Sequence, residues 1–238
     1  MEALEEHLAA QEHSAVEFFW HRLRADAVSQ WLPPGAVKLL DVGAGAGAFG
    51  EHARRKLPAV QYHFIEPLAS LEASLSERFG ADRNAAASSD FRAFDVVLLL
   101  DVLEHQADDR EFCQQLLKKM RPGARLILTV PAMQWLWSAW DAALGHTRRY
   151  TRQKLLLAFD GLRVRWLECS YLFPEMVPLA LVRKAKLRGA ALKTADETHF
   201  PTLPAVLNES LYQLGRASLA LRKLAPVGTS VFAALDVR

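Results

Sequence analysis

The sequence predicts a doubly wound α/β fold, and three observations carry that prediction. From residue 37 onward, apolar runs of strand length alternate with helical patterns. The first run ends in closely spaced glycines ahead of a helix. A later run, Phe94-Asp95-Val96-Val97-Leu98-Leu99-Leu100, is apolar on both faces, as a parallel strand covered by helices on both sides has to be. Strand-then-helix order implies right-handed crossovers and a ligand crevice beyond the strand C-termini.

In chain order, residues 37–42 read as a buried strand and 49–57 as a helix stopped by Pro58. Residues 61–66 read as a second strand, after which Pro67 opens a helix through Phe79 with Gly80 at its end. The run 94–100 is followed by an amphipathic helix over 109–120, the turn Arg121-Pro122-Gly123 and a strand over 125–130. Residues 162–171 and 229–237 read as an antiparallel strand pair closing the sheet. Between them, 172–226 holds eight basic and four acidic residues and five prolines, so it reads as a helical, basic insertion. The chain thus divides into an N-terminal helical cover (1–36), a main domain (37–171 with 227–238) and the insertion (172–226).

Composition narrows the function classes. Of the 238 residues, 51% are hydrophobic and 24% charged, the balance of a globular protein rather than a disordered or disulfide-built one. A net charge of +2 gives no global footprint of a nucleic-acid binder, so nucleic acid is not an expected partner. The longest uncharged run, 126–140, has 15 residues and contains Pro131, too short for a membrane span. An acidic start (Glu2, Glu5, Glu6) carries no export signal, and Cys113 and Cys169 stand in no metal-like spacing, so the expected location is the cytoplasm.

The segment Asp41-Val42-Gly43-Ala44-Gly45-Ala46-Gly47 lets a ligand approach the backbone closely. Glu66 ends the next strand, 25 residues after Asp41, where a carboxylate can accept both hydroxyls of a ribose. The pair describes an adenosine-type pocket. Gly45-x-Gly47-x-x-Gly50 also satisfies the dinucleotide fingerprint, which keeps a nicotinamide-dependent oxidoreductase and a non-catalytic cofactor-binding module as alternatives.

These residues, together with Phe94-Asp95-Val96-Val97, Asp101-Val102-Leu103-Glu104-His105, Arg121-Pro122-Gly123 and Val130-Pro131, resemble the ordered landmarks of class I S-adenosylmethionine-dependent methyltransferases. The resemblance spans about residues 37–171 and the final strand. It implies a mostly parallel, seven-stranded Rossmann-like sheet with an antiparallel C-terminal strand and a helical insertion before it. It further implies S-adenosylmethionine as cofactor, with Gly43, Gly45 and Gly47 against its methionine part, Asp41 bracing the loop and Glu66 on the ribose. Asp101 and Leu103 would face the methionine or adenine side, with Asp90 the candidate for an adenine contact. The Ala- and Ser-rich stretch 81–91 departs from the family pattern, because no strand is evident there. The aromatic segment 12–22 resembles a helix that covers the cofactor in a bacterial subset of the family; alternatively its aromatics pack on the core.

Asp101, Glu104 and His105 stand at i, i+3 and i+4, so a helix starting after residue 100 would project all three from one face. His146, in Gly145-His146-Thr147-Arg148-Arg149-Tyr150, is a fourth candidate. Two carboxylates and two imidazoles suit a divalent metal ion, and the order is similar to that of metal-using O-methyltransferases such as the small-RNA 2′-O-methyltransferases and the ubiquinone-pathway enzymes. His105 or His146 as a general base, or Asp101-x-x-Glu104 as a plain capping box, are the alternatives. A cation or a base would help a neutral hydroxyl attack a sulfonium methyl, which favours oxygen as the acceptor atom.

Trp135, Trp137, Trp140 and Tyr150 crowd the segment where this fold borders its acceptor, and their flat walls suit a small aromatic or lipid-linked acceptor. Arg148 and Arg149 are the candidates for fixing a carboxylate or phosphate on it, and Asp141 is open between turn-former and catalytic group. For the insertion, a lid, a homodimer surface and a patch for the inner face of the membrane remain alternatives.

Overall fold

The computed structural model describes residues 8, 17–86, 90–187 and 203–238. The start of the expected N-terminal helix (12–16) and the middle of the insertion (188–202) lie outside the described residues.

Strands β1 (Val37–Val42), β2 (Val60–Ile65), β3 (Val96–Leu100), β4 (Arg125–Pro131), β5 (Val164–Leu172) and β6 (Ser230–Val237) form one sheet in the order β2-β1-β3-β4-β6-β5. β1 to β4 pair in parallel, and β6 lies antiparallel between β4 and β5. The sequence separates the two core faces by strand alternation. Leu39, Val96, Leu98, Ile127 and Phe232 fill one face, while Leu40, Val97, Leu99, Leu126 and Leu128 fill the other. Helices α1 (Phe19–Ser29), α2 (Ala48–Lys56), α3 (Ala69–Phe79), α4 (Asp109–Lys119), α5 (Ala139–Ala143) and α6 (Arg152–Ala158) lie among these strands in chain order. Between β5 and β6 come α7 (Val177–Lys186) and α8 (Ala205–Leu221).

The expected seventh strand is not formed among the described residues. Among the described residues, the backbone pairing of the stretch after α3 with the sheet is a parallel bridge between Phe64 and Asn84. Its physical reason is composition, since Ala, Ser and Asp offer none of the β-branched or aromatic surface that holds an edge strand.

Helix α1 is clamped by α8. Asn208 accepts the Phe19 amide through Oδ1 (2.9 Å) and donates to the Glu17 carbonyl (2.7 Å), while the Tyr212 hydroxyl donates to Asp26 (2.7 Å). Gly215 makes this approach possible, because a Cβ there would sit 2.1 Å from Leu23 Cδ1. Phe19 and Leu23 are buried in the core and Trp20 stacks on Phe173 at 4.0 Å. The described aromatics of this segment therefore pack on the core, and Arg24 on the same helix reaches the end of β3.

The strand order switches direction at β1, with β2 laid on one side of it and β3 on the other, so the crevice opens beyond the C-termini of β1 and β3. The non-glycine residues with left-handed backbone among those described are Asp101 (φ 61°), Met133 (φ 63°) and Phe173 (φ 59°). Each follows the C-terminal end of β3, β4 or β5, so the strain is concentrated on the rim of that crevice.

Candidate active site

The loop after β1 is shaped by glycines in conformations that side chains rarely adopt. Gly43 has φ +73°, and a Cβ there would stand 2.7 Å from Val102 Cγ2; Gly47, at φ +72°, opens α2. The Gly43 and Ala44 amides donate to the Ile65 carbonyl, which ties the loop to the end of β2. Glu66 accepts from the amides of Gly45 (2.7 Å) and Leu68 (3.0 Å), and burial pushes its carboxyl upward against those two donors. It stands directly after β2, with an acceptor lone pair still open on each oxygen. Leu8 lies over Gly45, within 3.3 Å of where a Cβ would be.

Asp41 sits beneath the loop, 2% exposed. The Tyr62 hydroxyl donates to its Oδ2 (3.0 Å), and Oδ1 has no hydrogen-bond partner. Burial pushes this carboxyl up to about 7, against the Tyr62 hydrogen bond and the Arg24 charge. Gly50, the last glycine of the dinucleotide-like fingerprint, is needed for helix packing, since a Cβ would meet the Tyr62 ring at 2.5 Å.

After β3 the chain does not enter the expected helix. Asp101 takes the left-handed conformation and Leu103–His105 form a single 3-10 turn. Asp101 therefore caps nothing; its carboxylate accepts from the Arg24 guanidinium and from Thr129 Oγ1 (3.1 Å). This removes Asp101 from the expected metal set. Leu103 is fully buried in the core, which leaves its side chain no surface for a cofactor. Asp90 is exposed and accepts from the amide and guanidinium of Arg92.

The remaining three groups converge. One ligand atom from each of Glu104, His105 and His146 lies within 4.8 Å of the others. The 145–147 loop is fastened there by Thr147, whose amide (2.9 Å) and hydroxyl (2.7 Å) both donate to the Glu104 carbonyl. Glu104 is wholly buried, neither carboxylate oxygen has a hydrogen-bond partner, and burial together with the Asp101 charge pushes its carboxyl well above the usual range. His146 Nδ1 lies 3.0 Å from Asp141 Oδ1, and His105 Nδ1 lies 3.3 Å from the Gly145 carbonyl. Both partners accept, so each neutral ring carries its proton on Nδ1 and turns a lone pair on Nε2 outward. His146 Nε2 is 4.0 Å from Glu104 Oε1 and the two rings meet edge-on at 5.0 Å. Burial and the neighbouring His146 hold His105 below the usual imidazole range, which keeps its lone pair available.

Asp141 is a turn-former, the first of the two expected readings, and it contacts a site residue as well. It closes a capping box on Ser138 at the start of α5 and also orients His146. Burial raises its carboxyl, but the hydrogen bonds from His146 and Arg149 outweigh that and hold it below the usual range. Arg149 grips both Asp141 oxygens (2.7 and 3.1 Å) and the Ala132 carbonyl (3.0 Å). Arg148 is spent on Asp109 (3.1 Å) and the Ala107 carbonyl (2.7 Å). Tyr150 is fully buried, its hydroxyl donating to Asp109 (2.8 Å). These three belong to the frame behind the site and not to an acceptor wall. Trp135 is exposed and Trp137 half-buried, while Trp140 packs perpendicular to His146 at 6.1 Å. The approach of α7 to this segment is a long-range contact without a sequence signal, and the Asp141–Arg149 clamp, eight residues apart, matches no regular helix or strand spacing.

A family model described as a methyltransferase domain matches residues 5–167. The ubiquinone biosynthesis O-methyltransferase, mitochondrial, of Schizosaccharomyces pombe (strain 972 / ATCC 24843) is 32% identical over 101 residues, covering 39% of this chain and 37% of that protein. Among solved structures, geranyl diphosphate C-methyltransferase from Streptomyces coelicolor A3(2), in complex with Mg2+, geranyl diphosphate and S-adenosyl-L-homocysteine, superposes with a TM-score of 0.56 at 14% identity, covering 90% of this chain and 78% of that one. The cyclase SpnF superposes with a TM-score of 0.58 at 18% identity, covering 91% and 80%. At these identities the superpositions establish the fold alone, and a cyclase among them shows that the fold does not dictate the chemistry. The family match, over more than half of the sequence, decides the family: the chain belongs to the class I S-adenosylmethionine-dependent methyltransferases.

Proposed function

We propose that this chain transfers the sulfonium methyl of S-adenosylmethionine to a hydroxyl oxygen of a small aromatic or lipid-linked acceptor, and that Glu104, His105 and His146 activate that hydroxyl. The observation that carries the reading is a buried carboxylate without partners, set between two imidazoles whose Nδ1 protons are already committed. In a purely structural role, Glu104 would bring a desolvation cost and no compensating bond. The O-methyltransferase name of the fission-yeast relative supports oxygen as the acceptor atom.

The donor set fits a divalent cation, with one carboxylate and two Nε2 atoms available and the imidazoles fixed from behind by Asp141 and Gly145. A cation held by these residues would lower the pKa of an acceptor hydroxyl. The protein's own contribution is alignment: the glycine loop, Asp41 and Glu66 hold the nucleoside, and where no cation occupies its Nε2, His146 accepts the hydroxyl proton there. Transfer of labelled methyl to a panel of catechols, phenols and amines tests the reading, with metal content measured before and after chelation. Label in hydroxyl acceptors with loss on chelation is expected for a cation at this cluster; label with full activity in metal-free protein leaves the histidine as base; label in amines alone contradicts oxygen transfer.

No helix among the described residues is long and apolar enough to cross a membrane. Helix α7 nevertheless turns Leu179 (57% exposed) and Val182 (51%) outward beside Lys184 and Lys186, which supports contact with an anionic lipid surface from which a lipid-linked acceptor is drawn. Pelleting with anionic vesicles is expected to capture the protein at low salt and release it at high salt. Capture that ignores salt, or none, removes this part of the reading.

A further inference from the structure

The acceptor wall contains a cation that the sequence reading placed elsewhere. Arg148 and Arg149, the expected anion binders, are both engaged by protein acceptors. Helix α7 supplies another guanidinium. Lys184 donates to the Trp135 carbonyl (2.5 Å), which lays α7 against the tryptophan segment, and Arg183 is thereby set with its guanidinium carbon 4.7 Å from the centre of the Trp140 ring. The same indole packs against His146.

Arg183 is half-buried, and its guanidinium makes no hydrogen bond or ion pair with any described residue. Burial lowers its pKa, and the Asp141 charge offsets this only in part because Arg149 already neutralises that carboxylate. A half-desolvated guanidinium stacked on an indole, with its planar donor fork uncommitted, is suited to bidentate recognition of a carboxylate or phosphate.

Resting on the methyl-transfer reading, we infer that Arg183 binds an anionic group of the acceptor, with Trp140 as the flat wall between that anion and the hydroxyl presented at His146. The chemical class is an aromatic or lipid-linked hydroxyl compound carrying a carboxylate or a phosphate. Arg183 is a specificity-determining residue in this assignment, and it takes no part in holding the nucleoside.

The test uses the full chain saturated with S-adenosylhomocysteine and two matched pairs of probes, protocatechuate against catechol and hydroquinone monophosphate against phenol, with affinities read by calorimetry. The wild type is expected to prefer the anionic member of one pair by about tenfold or more, and the preferred pair tells a carboxylate from a phosphate. Arg183→Gln should erase the preference without changing the affinity for the neutral probe or for S-adenosylhomocysteine, and Arg183→Lys should restore part of it. No preference in the wild type, or one that survives Arg183→Gln, overturns the assignment. So does loss of S-adenosylhomocysteine binding in that variant, which would make Arg183 a support of the fold. Failure of the wild type to bind S-adenosylhomocysteine is a separate result and brings down the methyl-transfer reading itself.

Discussion

Replacing His146 by alanine is expected to slow methyl transfer by roughly 10²–10⁴-fold, the range of a lost general base, while affinity for S-adenosylhomocysteine stays unchanged. The geometry gives the reason. His146 is held by Asp141 from behind and faces Glu104 in front, whereas the cofactor loop is built from separate residues after β1 and β2. Removing the imidazole leaves the Asp141–Arg149 pair intact, so the fold survives the change. Glu104→Gln should also lose turnover, but with the opposite effect on stability. An isosteric amide removes a buried carboxyl without partners and is therefore expected to raise the melting temperature. Steady-state kinetics and thermal unfolding of both variants check this. Unchanged turnover in both would show that neither group is needed.

Asp41→Asn is expected to remove a large pH dependence of stability. In the folded chain this carboxyl is pushed up to about 7, against an ordinary value of 3.8 when unfolded. Between those values the folded state keeps a proton that the unfolded state has released, so stability is fully present below the lower one and falls as pH rises to the upper one. A separation of this size corresponds to a loss on the order of 4 kcal/mol. The asparagine variant should therefore match the wild type near pH 4 and exceed it at pH 8, less the cost of an amide N–H left without a partner beside the orphan Oδ1 position. Urea unfolding across that range measures the difference directly. A difference independent of pH contradicts the proton on Asp41. The same variant should bind S-adenosylmethionine more weakly, because the carboxylate beneath the loop is lost.

The strands were legible because their signal is local. The run Val37–Val42 is apolar and ends in glycines, and the structure returns those same limits. The run 94–100 loses Phe94 and Asp95 to a turn, in which the Asp95 carboxylate accepts the Lys38 amide. The missing edge strand was half-visible as a lack of β-branched residues over 81–91. The site was legible as a set of residue types but not as an arrangement. Helical spacing grouped Asp101 with Glu104 and His105, yet the left-handed turn at Asp101 aims its carboxylate at Arg24, 77 residues earlier in the chain. Tyr150 looked like an acceptor wall because aromatic residues border pockets, and only the fold shows that Asp109 takes its hydroxyl. Arg183 on Trp140 joins segments that the sequence keeps separate, and the Asp141–Arg149 clamp spans a loop of eight residues with no regular period, so no spacing rule reaches either.

If methyl transfer proceeds as proposed, one crevice joins a nucleoside held by the glycine loop and Glu66 to a reaction centre at Glu104, His105 and His146. A crystal structure with S-adenosylhomocysteine decides this. The ribose hydroxyls are expected on Glu66 and the sulfur turned toward the two imidazoles. A ribose bound away from Glu66, or a sulfur walled off from His105 and His146, rules out that arrangement.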